Sequence, residues 1–455
     1  MPGLSRIGRV VAVSAIAAAL VLLAGVVING TVGALSAART KAPPPSRDAS
    51  QAKSANALFL QGRQIFRYDT FGDQAFFGDA LKLHQAIEGA KLGGVGDGVS
   101  PKTALSLGLK VDSAALPPKL VAAIKAGKVD LGSPATTLAL LKLNAVVGIK
   151  GFFDKGGSLS SIGTTCALCH STVDDSFAPG IGKRLDGWPN RDLNVGAIIA
   201  SSPTVKPFAD LLGVDETTVR NVLRSWGPGF YNAELDKDGK VSQPDGKPAG
   251  TVLPPAYGLA GVNLSTFTGF GTVTYWNAYV AVTQMHGQGT FFDARFNDPQ
   301  KYPVAVRSGD WNVRHTPDLV SSKLGALHFY QLGLAAPAPP KGSFDPAAAK
   351  RGEAIFNGKE AHCSQCHVPP TYSDPGFNMH KPSEICTDSF QADRSPDGMY
   401  RTTPLRGLWA HAKGGYWHDG RYKTLGDVVD HYDSCFKLGL SAGQKSDLVE
   451  FLKSR

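Results

Sequence analysis

Two copies of one five-residue motif, Cys-x-x-Cys-His, constrain this chain more than any other feature. The first is CALCH, with Cys166, Cys169 and His170; the second is CSQCH, with Cys363, Cys366 and His367. A bare Cys-x-x-Cys serves as a redox dithiol or as half of a zinc site. Neither needs the following histidine, and neither needs it twice. Covalent attachment of haem uses all three residues. Two thiols add across the two vinyl groups, and the adjacent histidine turns under the ring to bind iron. The motifs therefore predict two covalently bound c-type haems, with His170 and His367 as the proximal iron ligands.

Such haem is attached outside the cytoplasm, and the N-terminus fits export. Arg6 and Arg9 precede an apolar run from Val10 to Ile28. Its length approaches the roughly 20 residues that cross a bilayer as a helix, whereas a signal-peptide core is usually about 7–15. An uncleaved signal anchor over residues 1–38 is expected, with the rest of the chain in the periplasm. A cleaved signal, cut near Ser36 to Ala38, is the alternative and leads to the same compartment. The formal net charge is +9, partly from the first fifty residues, and no basic run stands out. Nucleic acid is therefore not an expected partner.

At 455 residues the chain exceeds what one hydrophobic core usually serves. Residues 39–54, with Pro43, Pro44 and Pro45, read as a tether. Residues 55–334 form an N-terminal haem block, 335–342 a Pro-rich linker, and 343–455 a C-terminal cytochrome c block. The fold expected is mostly α-helical: two cytochrome c-like domains, each holding one haem, with long Gly- and Pro-rich loops and an N-terminal membrane helix. Asp345 and Pro346 suit the cap and first position of a helix leading into the second motif. The run DKDGK, from Asp236, lacks the alternating ligands and distant Glu of a calcium loop and reads as a hairpin turn. Cys386 and Cys435 remain over. Export permits a disulfide between them, with two free buried thiols as the alternative.

The stretch RTTPLRGLWAHAKGGYWHDGRYKTLGDVVDHYD, from Arg401, adds more. Together with the two motifs it resembles the bacterial di-haem cytochrome c peroxidase superfamily, which includes the MauG-type enzymes and the di-haem rubber oxygenases. The likeness is specific over the C-terminal part and looser before it. It implies that the helix after the His418–Gly420 turn supplies the distal ligand of the second haem. Tyr432 matches that position and His431 is its neighbour. About 100° separates them on a helix, so only one can face the iron. Met379 and Met399 are further candidates, and Met285 is the other methionine beyond the initiator.

The resemblance also implies that the N-terminal haem is the reactive one. Trp276 matches a tryptophan between the haems, and Phe291 a phenylalanine over the iron. The acidic segment that peroxidases use for proton transfer has no match. His286 is the substitute, and an apolar pocket suited to dioxygen is expected. A calcium ion between the domains is also implied, held by Asn194 and the carbonyls of Lys413 and Gly415. The activity expected is oxidoreduction of peroxide or dioxygen, with the second haem relaying electrons to or from an external small cytochrome or cupredoxin. A non-catalytic electron carrier is the alternative.

Overall fold

Alternation of short helices with Gly- and Pro-rich loops carries through to the three-dimensional arrangement. The computed structural model describes residues 46–455. The signal-anchor segment lies outside these residues. Among the described residues, no helix is long and apolar enough to cross a membrane. The first helix, Arg47–Tyr68, begins inside the segment expected as a tether. The three prolines precede it, and the sequence beyond them holds no helix breaker until Gly62. The Ser46 hydroxyl accepts the Ala49 amide at 3.2 Å and starts it.

The fold is helix-rich, with strands confined to six two-stranded ladders among the described residues. The longest pairs Ile149–Phe153 antiparallel with Leu159–Thr164 and delivers the chain into the first motif. The helical region around 205–226 is split into Lys206–Leu212 and Glu216–Ser225, because Gly213 takes φ 71° and ends the first half. The helix before the second motif spans Pro346–Asn357. The Asp345 carboxylate accepts from the amides of Ala347 and Ala348, as the sequence predicts.

Residues Ala52–Arg455 form one unit by contacts. Within it, apolar side chains collect into three clusters. One surrounds Ile162, Leu193 and Leu223 near the first motif. A second is rich in aromatics, with Phe270, Tyr279 and Phe296. The third, around Phe356 and Phe451, lies wholly within the C-terminal stretch. There the helices Pro346–Asn357 and Ala442–Lys453 cross so closely that a Cβ on Gly352 would sit 2.0 Å from the Asp447 carbonyl. Only glycine permits that approach, and it brings Phe356 and Phe451 to 4.9 Å between ring centres.

A buried ion network joins early and late parts of this unit. Arg394, 1% exposed, donates to Asp238 at 2.7 and 3.0 Å, to Asn232 at 2.7 Å and to the Ala249 carbonyl at 2.9 Å. Here the hairpin expected at DKDGK gives way to a helical turn, Leu235–Asp238, closed by left-handed Gly239. Asp238 turns inward because Arg394 meets it there, and Lys237 is buried against Asp236 and Asp310.

Candidate functional site

Each Cys-x-x-Cys-His motif folds as a tight helical turn on the wall of its own cavity. Cys166 precedes the single turn Ala167–His170. Cys166, Cys169 and His170 line a cavity of about 180 Å³. In the second motif, the turn Cys363–Gln365 leads to Cys366 and His367, and all three motif residues line a larger cavity of about 570 Å³. All four thiols are free. Burial pushes Cys166 and Cys169 up to about 12, so each is a neutral thiol at physiological pH.

The histidines are set for ligation. His170 Nδ1 lies 3.1 Å from the Pro254 carbonyl, and His367 Nδ1 lies 3.0 Å from that of Tyr372. A carbonyl only accepts, so Nδ1 carries the proton and Nε2 is left with its lone pair. Burial lowers His170 to about 4 and also lowers His367, so both rings are neutral. A neutral imidazole oriented by a carbonyl on its far nitrogen is what an iron ligand requires. Paired thiols beside such a histidine on a cavity wall are the donor set that covalent haem uses, at both positions.

The cavities share a wall. Pro254, Thr266 and Phe267 line both, and Pro254 is the residue that orients His170. Trp276, expected between the haems, lines only the smaller cavity, stacked on Tyr279 at 5.0 Å. His286 also lines it, 3.6 Å from Phe76 between ring centres, and burial lowers it to about 4.

Several expectations change. Phe291 does not reach the cavity of His170. It sits in the strand Thr290–Phe292, paired with Asn312–Arg314. Strand alternation turns Phe291 inward against Tyr275 and Tyr279 and leaves Phe292 outside, 54% exposed. His431 is also turned away. Its Nε2 donates to the Ile385 carbonyl at 3.1 Å, and its Nδ1 accepts from the Tyr422 hydroxyl at 2.8 Å. Both nitrogens are occupied, so it serves as a structural histidine. Tyr432, one step along the helix Leu425–Phe436, faces the larger cavity, where burial raises its phenol well above the ordinary value. Neither Met379 nor Met399 lines that cavity, whereas Met285 lines the smaller one.

The calcium expectation is overturned by an arginine. Arg191 Nη1 donates to the carbonyls of Lys413 and Gly415, at 3.2 and 3.4 Å. A guanidinium thus holds the two oxygens assigned to the ion. Asn194 is occupied elsewhere: its side chain accepts the Ala197 amide at 3.0 Å and caps the helix Val195–Ala200.

Sequence reasoning missed the acids of the smaller cavity. Glu234 and Asp236 both line it, and each has one carboxylate oxygen without a hydrogen-bond partner. Burial raises both carboxyls, with Arg394 opposing the shift at Glu234 and Lys237 opposing it at Asp236. The expected apolar pocket is therefore partly acidic. No local pattern marks Glu234, and Asp236 opens the run DKDGK that reads as a hairpin turn. In the larger cavity, Arg191, Arg401, His411 and His418 were also missed as lining groups. Three of them, Arg401, His411 and His418, lie inside the stretch that carries the resemblance. Beside this cavity, Cys386 and Cys435 form a disulfide, which ties the segment after Ile385 to the helix of Tyr432.

No protein-family model matches the chain. A curated relative, the methylamine utilization protein MauG of Methylorubrum extorquens, is 32% identical over 125 residues. The match covers 24% of this chain and 34% of that protein, so the chain spans about a third of the relative's length. Among solved structures, a MauG-like protein associated with microbial copper homeostasis aligns at 16% identity with a TM-score of 0.30. That alignment covers 49% of this chain and 81% of the other. The Kuenenia stuttgartiensis hydrazine synthase aligns at 18% identity and a TM-score of 0.27, over 49% of this chain and 86% of that one. At these TM-scores neither likeness carries an argument. Over those 125 residues the chain is thus similar to a protein of the MauG-type di-haem group that its C-terminal stretch resembles.

Proposed function

We propose that the chain is an exported di-haem oxidoreductase of the superfamily its C-terminal stretch resembles. Its haems would be anchored at Cys166, Cys169 and His170 and at Cys363, Cys366 and His367. Bound there, the haem of the smaller cavity would supply activation of peroxide or dioxygen, and that of the larger cavity would supply electron relay to an external small redox protein.

The observation that carries the reading is the pair of buried carboxyls, Glu234 and Asp236, on the cavity of His170. A pure electron carrier has no use for buried acids with a free carboxylate oxygen at its cofactor. An enzyme that cleaves an O–O bond needs a proton held within reach. Burial keeps these carboxyls protonated to higher pH than an exposed acid. The surrounding apolar residues, including Leu212, Leu223 and Trp226, exclude water. Pro254 then does two things: it orients His170 and forms part of the wall towards the second site. Tyr432 faces the larger cavity from a helix pinned by the disulfide, as a fixed distal group would.

The electron-carrier reading has one observation in its favour, the presence of His286 and Met285 on the smaller cavity. The electron paramagnetic resonance spectrum of the ferric holoprotein separates the two. One high-spin and one low-spin haem are expected. Two low-spin haems, unchanged when one haem is reduced, would refute the enzymatic reading.

A further inference from the structure

Arginines whose guanidinium nitrogens are buried fall into two kinds in this chain. Arg394 and Arg184 each meet a carboxylate, on Asp238 and Asp112. Arg191 and Arg401 meet none within 4 Å among the described residues, and both line the larger cavity. Arg191 is 6% exposed. Its Nη1 reaches two carbonyls, while its Nε has no partner. Arg401 donates Nε to the Thr266 carbonyl, on the wall shared by the two cavities, and its Nη1 has no partner. His411 lines the same cavity, and its Nε2 is also without a partner.

An unpaired buried guanidinium costs several kcal/mol. Carbonyl dipoles satisfy some of its protons and leave the net charge uncompensated. Burial pulls both arginines down to about 10, the sign of a cation awaiting its counterion. Two such cations on one cavity call for a ligand with two negative groups.

We propose that Arg191 and Arg401 bind the two propionate carboxylates of the haem anchored at Cys363, Cys366 and His367. This rests on the haem reading above and deepens it, since neither arginine belongs to the attachment motif. Planar guanidinium groups suit carboxylates, and pairs out of water are strong and orienting. With both propionates neutralised, the ferrous state gains relative to the ferric one. Arg191 and Arg401 are therefore positioning residues that set the potential of the relay haem.

The test uses the holoprotein with Arg191→Gln, Arg401→Gln and the corresponding Lys variants. Gln keeps an amide N–H for the carbonyl partners and loses the charge. Mass spectrometry first counts covalent haem on the peptide of Cys363 and Cys366. Absence of haem there in the unsubstituted protein overturns the haem reading and this inference together. With haem present, spectroelectrochemistry reads the two reduction equilibria. Each Gln variant is expected to favour the ferric state of one haem by about tenfold, equivalent to about 59 mV for one electron. The other haem should change less than about twofold, and Lys should restore most of the shift. Gln variants that keep both haems and both equilibria within twofold overturn the inference while the haem reading stands. A crystal structure of the unsubstituted holoprotein decides it independently of how the variants fold. Propionate oxygens at hydrogen-bond distance from Arg191 and Arg401 sustain it, and propionates directed to solvent refute it.

Discussion

Replacing Arg394 by Met should be among the most damaging single changes available in this chain. The guanidinium is 1% exposed and makes four bonds of 3.0 Å or less, two of them to the Asp238 carboxylate. Methionine fills much of the volume and removes every donor. Asp238, 8% exposed, keeps the Lys240 amide at 2.9 Å and loses its cation. Breaking a buried pair from one side costs about 3–5 kcal/mol, because the surviving charge cannot regain water. With a urea slope of about 3 kcal/mol per molar, the unfolding midpoint should fall by about 1–1.7 M. The double variant Arg394→Met with Asp238→Leu removes both charges and should recover at least half of that loss. Tryptophan fluorescence in urea, on holoprotein throughout, makes the measurement. A single variant within about 0.3 M of the parent would refute the assignment of Arg394 as a buried ion-pair partner. So would a double variant that is worse than the single. The damage should also reach the smaller cavity, since the segment from Asn232 to Asp236 lines it and Arg394 holds Asn232 in place.

Other expectations follow from the same contacts. Tyr432→Phe should change the spectrum of the second haem, whereas His431→Phe should leave it unchanged and cost about 1–3 kcal/mol in denaturant, through the stranded Tyr422 hydroxyl and Ile385 carbonyl. Removing the disulfide with Cys386→Ser and Cys435→Ser opens a loop with a sequence separation of 49. Loop entropy puts the cost at about 4 kcal/mol, measured as a fall in the urea midpoint. Glu234→Gln should slow peroxide turnover by about 10²-fold or more with haem content unchanged, and an unaltered rate would remove Glu234 from proton delivery. Burial alone would raise the Asp388 carboxyl. His418, whose Nε2 lies 3.5 Å away, and the charge of Arg421 outweigh it and hold Asp388 well below the ordinary value. A depressed acid stabilises the fold above its unfolded pKa of about 3.9, and that stability is lost as pH falls further towards the folded value. Asp388→Asn should therefore flatten the stability profile below about pH 4 and leave its slope near neutrality alone, read as denaturation midpoints across pH.

The two Cys-x-x-Cys-His motifs were legible because their donors are local. Two thiols and a histidine within five residues need no long-range partner to be recognised. The helix at Pro346 was legible for the same reason, through its cap and first-turn proline. Local patterning also limited the distal candidates on the helix Leu425–Phe436: a 100° turn allows Tyr432 or His431, not both. Which of them faces inward was decided by Ile385 and Tyr422, which lie far from His431 in sequence or on another turn of chain and occupy both its nitrogens.

Where sequence reading failed, packing had set a side chain's direction. Phe291 lost its expected place because a two-stranded ladder with Asn312–Arg314 turned it into an aromatic core. The calcium site was lost because Arg191 crosses to carbonyls more than 200 positions away along the chain. Asp236 reads as the first residue of a hairpin turn, with Glu234 just before it. Arg394, 156 positions beyond Asp238, folds over that turn and buries it.

The sequence by itself determined the two donor sets, each of two thiols and a histidine, since such donors are held close by the chain. Only the tertiary structure decided which charged groups stand in those cavities without a counterion. That outcome depends on residues brought together across the whole chain, and on the removal of the water that would otherwise have made their charges cheap.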